Sequence, residues 1–127
     1  MDKDTSDHIL ITASRVDGTP VFNDKGERIG HIHDLSIDKQ TGQVRYALMS
    51  FGGFLRLGAR IHPMPWSVLN YDAALEGYVV PMSREALQKA PSYPADALEG
   101  FGSGDKVYRE ALFSYYGQWG AMPYWGL

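Results

Sequence analysis

Turn signals recur along much of the chain at spacings too short for long helices. They separate apolar runs rich in β-branched and aromatic residues, and they are Asp17-Gly18, Asn23–Gly26, Lys39–Gly42, Gly52-Gly53 and Leu75–Gly77. Short β-rich runs bounded by such turns predict a mainly β protein, either a small sandwich or a small barrel. The strand candidates are residues 9–16, 20–22, 27–38, 43–51, 59–65 and 78–81.

The strand candidate over residues 27–38 does not alternate strictly between apolar and polar side chains. Its apolar side chains drift in phase along the strand: Ile29, Ile32, Leu35 and Ile37. One extra residue in a strand restores the phase by one position. We therefore expect bulges near Gly30 and near His33-Asp34, which would return the apolar side chains to one buried face.

The next strand candidate, residues 43–51, carries apolar side chains on both faces. One face reads Val44, Tyr46 and Leu48. The opposite face, which we interpret as the outward one, becomes apolar toward its end and reads Arg45, Ala47, Met49 and Phe51. This pattern predicts that another segment covers that end of the strand.

After residue 81 the apolar period changes from that of strands to that of helices. Ser83 is a good N-cap for a short helix REALQKA, and Pro91 stops that helix. We expect three parts in the chain: a barrel domain over residues 8–90, a linker over residues 91–104 rich in Pro, Gly and Ser, and a tail over residues 105–127.

The tail is predicted to be helical and rich in aromatic residues. Asp105 can cap its helix, Gly117 can end it, and one stripe follows the helical period: Tyr108, Leu112, Tyr115 and Trp119. Short isolated helices are marginal in water, so we expect this stripe to dock on a barrel. The sequence leaves open whether that barrel belongs to the same chain or to a neighbouring subunit.

Charge and composition narrow the function classes. The 12 basic and 15 acidic residues give a net charge of −3 with no basic cluster, which argues against binding nucleic acid or an anionic membrane. The absence of cysteine excludes disulfides, thiolate zinc sites and cysteine nucleophiles. No apolar run approaches the roughly 20 residues of a membrane-spanning helix, and the acidic start lacks a signal-peptide pattern, so we expect a cytoplasmic protein without membrane insertion.

No pattern in the sequence assembles a catalytic or cofactor site. The glycine-rich segment over residues 51–66 lacks the Gly-Lys-Ser/Thr ending of a phosphate-binding loop. Asp34 and Asp38 are acids that strand ends often carry for turns, and no serine has a Gly-x-Ser-x-Gly frame. His31 and His33 flank Ile32 and keep a metal-binding alternative open, although surface histidines on a strand are the commoner case. We expect no enzyme activity and no cofactor.

Several of these features together resemble a PRC-barrel domain. They are the turns at Asn23–Gly26 and Lys39–Gly42, the Ile29-Gly30 step, the Phe51-Gly52-Gly53 stretch and the Pro65-Trp66 pair. The similarity covers roughly residues 8–90. This small β-barrel is shared by the cytoplasmic part of the photosynthetic reaction-centre H subunit and the C-terminal part of a ribosome maturation factor. The chain looks more like the free-standing bacterial members.

The resemblance implies an adaptor-like domain that binds proteins and often self-associates, and it carries over no catalytic residue. Two alternatives remain: a small-molecule-binding or metal-binding domain that uses His31 and His33, and a factor related to ribosome assembly.

Surplus apolar surface predicts a homodimer that also binds an unidentified protein partner. One small barrel can hardly bury all of the apolar side chains near residues 51–57 and in the tail, and large exposed patches usually mark interaction sites. The candidate interface residues are Met49, Phe51, Phe54, Leu55, Leu57, Tyr108, Leu112, Tyr115, Trp119 and Trp125.

Overall fold

Seven strands form one sheet in the computed structural model, which describes residues 9–51, 60–94 and 108–123. The strands are β1 Pro20–Phe22, β2 Arg28–Ile37, β3 Val44–Phe51, β4 Arg60–Pro65, β5 Asn70–Asp72, β6 Gly77–Val79 and β7 Tyr93–Pro94. The described helices are α1 Ala13–Val16, α2 Arg84–Gln88 and α3 Arg109–Tyr116, with 3-10 turns at Trp66–Val68 and Gly117–Trp119.

The strand order is β5-β6-β1-β2-β3-β4-β7. Neighbouring strands are antiparallel except β1 and β6, which run parallel. The β2-β3-β4 meander supplies the longest strands. The parallel pairing of β1 with β6 places the second half of the barrel domain beside its first strand. The seven-stranded sheet confirms the mainly β fold class.

Five of the six strand candidates correspond to observed strands, and the first does not. Residues 13–16 form α1, where the carbonyl oxygen of Thr12 accepts hydrogen bonds from the backbone N–H groups of Arg15 and Val16. Val16 is buried, so this helical turn anchors the start of the domain on the core. The strands β5 and β7 were not predicted, because three and two residues are too few to show an alternating pattern.

Two of the predicted turns are fixed by a side-chain oxygen that accepts hydrogen bonds from the backbone of the turn. Asn23 is buried, and its side-chain oxygen accepts from the backbone N–H groups of Lys25 and Glu27. Asp38 does the same for Gln40 and Thr41 in the next turn. Short polar side chains that bond their own backbone are typical of tight turns.

Both expected bulges in β2 are present. Against β1, Val21 pairs with Gly30 and Phe22 pairs with Arg28, so Ile29 is the extra residue. Against β3, Ile32 pairs with Met49 and Asp34 pairs with Leu48, so His33 is the extra residue.

The bulges return only some of the apolar side chains of β2 to the core. Ile29 and Ile32 are buried, and Leu35 packs against the core. Ile37 is 47% exposed, which corrects the expectation of one continuous buried face. It lies beyond a third irregularity, between Ser36 and Ile37, where the pairing with β3 shifts again.

The inner and outer faces of β3 are the reverse of our interpretation. Met49 pairs with Ile32 on one side and with His62 on the other, and all three side chains are buried. Cross-strand partners point to the same side of a sheet. The face that carries Ala47, Met49 and Phe51 is therefore the inner one, and its outward assignment is wrong.

The opposite face of β3 is covered by α3 of the same chain. The ring centroids of Tyr46 and Phe113 lie 6.1 Å apart, and α3 contacts β4 next to β3. Leu112 and Tyr116 of α3 are fully buried. The expected cover of β3 is thus present, although it lies on the Tyr46 face, and α3 docks on the barrel of its own chain.

The helical segments near the chain end follow the capping signals. The Ser83 hydroxyl accepts a hydrogen bond from the backbone N–H of Ala86, which confirms this N-cap of α2. The helix α3 ends at Tyr116, as expected from Gly117, but a 3-10 turn continues the chain to Trp119. The left-handed residue that ends this turn is Gly120, with φ 94°. The proposed cap Asp105 and residues 95–104 of the linker lie outside the described residues, and Tyr93–Pro94 of the linker form β7.

We predict that Gly30→Ala destabilises the protein by about 1–3 kcal/mol, the range for overpacking a core. A Cβ atom at this position would lie 2.2 Å from the carbonyl oxygen of Ser50 and 2.9 Å from the Cα of Phe51, and backbone atoms cannot move aside cheaply. Gly117→Ala is the control, since open space surrounds that position. Urea unfolding of both variants checks this, and equal stabilities would contradict the close approach of β3.

Candidate interaction surface

Three aromatic residues of the tail are partly exposed and lie on one stripe. Tyr108, Tyr115 and Trp119 are half-buried and pack against the core, and we call them the aromatic ridge. The ring centroids of Tyr115 and Trp119 lie 5.5 Å apart. Met122 follows the ridge in sequence and is 72% exposed.

Two contacts tie the aromatic ridge to the rest of the domain. The hydroxyl of Tyr115 donates a hydrogen bond to the carbonyl oxygen of Ala86 in α2. The ring of Tyr108 lies edge-on to that of Tyr93 in β7, with centroids 4.5 Å apart. Burial raises the pKa of Tyr115 and also that of Tyr93, where Tyr108 adds to the effect. Burial thus favours the neutral form of the Tyr115 and Tyr93 phenols, and the ridge, made of tyrosine and tryptophan side chains, is an uncharged surface held on rigid elements.

The structure divides the predicted interface residues into three groups. Tyr108, Tyr115 and Trp119 form the aromatic ridge. Met49, Phe51 and Leu112 are 0%, 7% and 0% exposed, so they belong to the core of their own chain and their assignment to an interface is corrected. The remaining candidates lie outside the described residues: Phe54, Leu55, Leu57 and Trp125.

Sequence reasoning missed which side of α3 faces the core. The buried side chains are Leu112, Phe113 and Tyr116, whereas Tyr115 is only half-buried. An i, i+1, i+4 pattern was present in the sequence and marks a helical face. The stripe from Tyr108 to Trp119 is equally regular, because nearly every large residue of this segment is apolar or aromatic. Periodicity alone therefore does not identify the buried face of α3.

Other apolar side chains lie exposed outside α3. Ile9, Leu10 and Ile11 are 95%, 86% and 50% exposed. Tyr71 in β5 and Leu75 in the turn after it are 47% and 41% exposed. Sequence reasoning did not single them out, because residues 9–16 are a strand candidate in the sequence and the three residues of β5 are too few to show a pattern.

The histidine pair of the metal-binding alternative lies on β2. His31 is half-buried and pairs with Ser50, and His33 is exposed at the second bulge. The adjacent Asp34 accepts a hydrogen bond from the backbone N–H of Leu35. Within residues 9–51, 60–94 and 108–123, no three His, Asp or Glu side chains are grouped closely enough to hold a metal ion.

Asp38 has a structural role in the turn between β2 and β3. Its carboxylate accepts backbone hydrogen bonds from Gln40 and Thr41 and lies 3.3 Å from the guanidinium of Arg45. These backbone hydrogen bonds and then Arg45 lower the pKa of Asp38. A carboxylate held ionised in a turn is poorly suited to donating a proton.

His62 is a buried titratable group that sequence reasoning did not single out. It is 1% exposed, its ring centroid lies 4.4 Å from that of Phe51, and its Nδ1 has no hydrogen-bond partner in the described part of the chain. Burial lowers the pKa of His62 to about 4, and the positive charge of Arg60 contributes. The imidazole is therefore neutral at pH 7 and behaves as a core side chain.

The described helices include none long and apolar enough to cross a membrane.

Comparison with known protein families identifies the family of this chain. The PRC-barrel domain family matches residues 8–87, and the chain belongs to this family. The match ends inside α2, so α3 and its aromatic ridge lie beyond the matched residues. No curated protein matches the chain.

The neutral, buried state of His62 makes a prediction for the pH dependence of stability. Between pH 6.5 and pH 4 the unfolded chain takes up a proton at His62 and the folded chain does not. The free energy of unfolding therefore falls as the pH falls through this window, by roughly 3 kcal/mol in total. Urea unfolding at several pH values measures this decrease.

The matched variants for this measurement are His62→Gln and His33→Ala. His62→Gln removes the titrating ring, so the decrease should be smaller than in the wild type by roughly the same 3 kcal/mol. His33→Ala alters an exposed histidine and leaves His62 in place, so it should keep the wild-type slope. An unchanged slope in His62→Gln would assign the acid sensitivity to other groups.

Proposed function

We propose that this chain is a non-enzymatic protein-interaction module that self-associates as a homodimer and binds a further protein partner. The observation that carries the proposal is the aromatic ridge, an uncharged, half-exposed surface fixed to α3. Tyrosine and tryptophan residues in such positions are enriched among the residues that dominate binding energy. The adaptor-like character expected from the resemblance to PRC-barrel domains supports the same reading.

The ridge suits protein contacts for two physical reasons. Its rings already pack against the core and, through the Tyr115–Ala86 hydrogen bond, against α2, so little side-chain entropy is lost on binding. It also combines apolar ring faces with polar edges, which tolerate water in the free state and still bury well against a partner.

We predict that Trp119→Ala weakens partner capture about tenfold or more while the fold is retained. A tryptophan that anchors an interface contributes about 2 kcal/mol or more, and Trp119 is only half-buried in its own chain. The measurement is quantitative affinity capture from the native cell with the wild type and the variant side by side. Ile37→Ser is the control, because Ile37 is an exposed apolar residue on β2. Equal capture by Trp119→Ala and the wild type would contradict the role of the ridge.

A ligand screen separates this proposal from the small-molecule or metal alternative. A ligand that binds only the folded state raises the melting temperature in a saturable way. The adaptor proposal expects no large shift with divalent metals or metabolites. A large shift that disappears in a His31→Ala/His33→Ala variant would favour the alternative. The cytoplasmic location and the relation to ribosome assembly stay predictions.

A further inference from the structure

The segment before α1 is a stretch of strand-forming residues that pairs with no described strand. Ile9, Leu10 and Ile11 are 95%, 86% and 50% exposed, and Thr12 follows them as the N-cap residue of α1. None of the three apolar residues makes a backbone hydrogen bond with another described residue. We call residues 9–12 the N-terminal apolar segment.

Such a segment is well suited to adding to the edge of a sheet. Isoleucine and threonine have high β-propensity. Within the described part of the chain, the backbone N–H and C=O groups of Ile9, Leu10 and Ile11 have no partner, whereas the C=O of Thr12 accepts from Arg15 and Val16 of α1. In strand addition the main chain supplies hydrogen bonds and alternate side chains fill apolar positions. The exposed aliphatic side chains would then lose contact with water.

The sheet offers one suitable edge among the described strands. β5 and β7 are at the two ends of the strand order. β7 has only two residues, and Pro94 lacks an N–H. β5 consists of Asn70, Tyr71 and Asp72, each with an N–H, and pairs only with β6. Tyr71 and the nearby Leu75 are 47% and 41% exposed, so apolar contacts are available beside that edge.

The segment is poorly placed to reach the β5 edge of its own chain. α1 contacts β2, and β5 lies three strand steps from β2 in the sheet order. At roughly 4.8 Å per step, the path along the sheet is about 14 Å. Thr12 is followed directly by Ala13 of α1, so no connecting residue is left to cover this path. The edge of a second copy has no such constraint.

We infer that in the homodimer the N-terminal apolar segment of each copy adds as a strand to the β5 edge of the other copy. This inference rests on the self-association in the proposed function and gives it a location. The exchange is reciprocal, as a two-fold axis requires. It leaves the aromatic ridge on α3 free for a different protein.

Single proline substitutions test the backbone pairing directly. Successive N–H groups of a strand point to opposite sides, so only one of Leu10 and Ile11 donates to the β5 edge. One of Leu10→Pro and Ile11→Pro should therefore raise the Kd of the dimer at least tenfold, and the other should raise it much less. Leu10→Ala and Ile11→Ala are the controls for lost side-chain contacts. Analytical ultracentrifugation gives the Kd, and the melting temperature of dilute protein shows whether the barrel stays folded.

The outcomes separate this inference from the proposed function. A dimer whose Kd is unchanged by both proline variants overturns strand exchange and leaves the self-associating module in place. Equal effects of the two prolines overturn strand pairing in favour of a simple apolar contact. A wild-type chain that is monomeric at high micromolar concentration overturns both strand exchange and the homodimer.

Engineered disulfides identify the acceptor edge. The chain has no cysteine, so introduced pairs have no competitors. Leu10→Cys is combined in turn with Asn70→Cys, Tyr71→Cys and Asp72→Cys, and with Ile37→Cys as the control. Strand exchange predicts that at least one β5 pair gives a covalent dimer on mild oxidation, in excess of that from Leu10→Cys alone and from the control. A disulfide closed within one chain, or no β5 cross-link above the controls, overturns the inference.

Discussion

The burial of β3 on both faces is the constraint on which the rest of the domain depends. Four consecutive residues of this strand, Tyr46 to Met49, are buried. A strand of an antiparallel sheet with one solvated face shows alternating burial, so four buried residues in a row require a second covering layer. That layer is α3, whose Leu112, Phe113 and Tyr116 are buried against the sheet. The helix α3 is therefore part of the fold, although the family match ends before it.

This covering layer also determines where the proposed interaction surface lies. Because α3 buries one side on the barrel, the aromatic ridge is turned partly toward solvent, whereas Leu112 of the same stripe is buried. The hydrogen bond from Tyr115 to Ala86 joins α3 to α2. Removing residues 105–127 would expose Tyr46 and Leu48 along with removing the ridge, so a truncation cannot separate folding from binding. Single surface substitutions can, because they leave the layer in place.

The features that were predicted from the sequence depend on local physics. Asn23 and Asp38 mark their turns by bonding neighbouring backbone groups, and Ser83 caps α2 in the same way. The two bulges of β2 were visible as a phase shift of the apolar residues. Gly30 has a further reason for its identity, the close approach of the β3 backbone.

The features that were not predicted depend on which of two apolar faces packs against which neighbour. Both faces of β3 are apolar near its end, so periodicity alone cannot identify the inner one. The side of α3 that faces the core was ambiguous for the same reason. Ile9 to Ile11 belong to the strand candidate over residues 9–16, but no described residue of their own chain pairs with them. A single sequence records strand propensity without recording whether an edge lies within reach.

A chain that carries both the N-terminal apolar segment and the open β5 edge is at risk of open-ended polymerisation. A two-fold symmetric dimer removes that risk. An open edge strand invites further pairing, and head-to-tail addition of one copy to the next would build an open filament. A net charge of only −3 offers little repulsion against such growth. Reciprocal exchange about a two-fold axis uses both donors and both β5 edges within two copies, so no free edge of this kind remains. In the proposed homodimer the exposed Ile9–Ile11 stretch thus covers the β5 edge, which would otherwise be open to unwanted pairing with further copies.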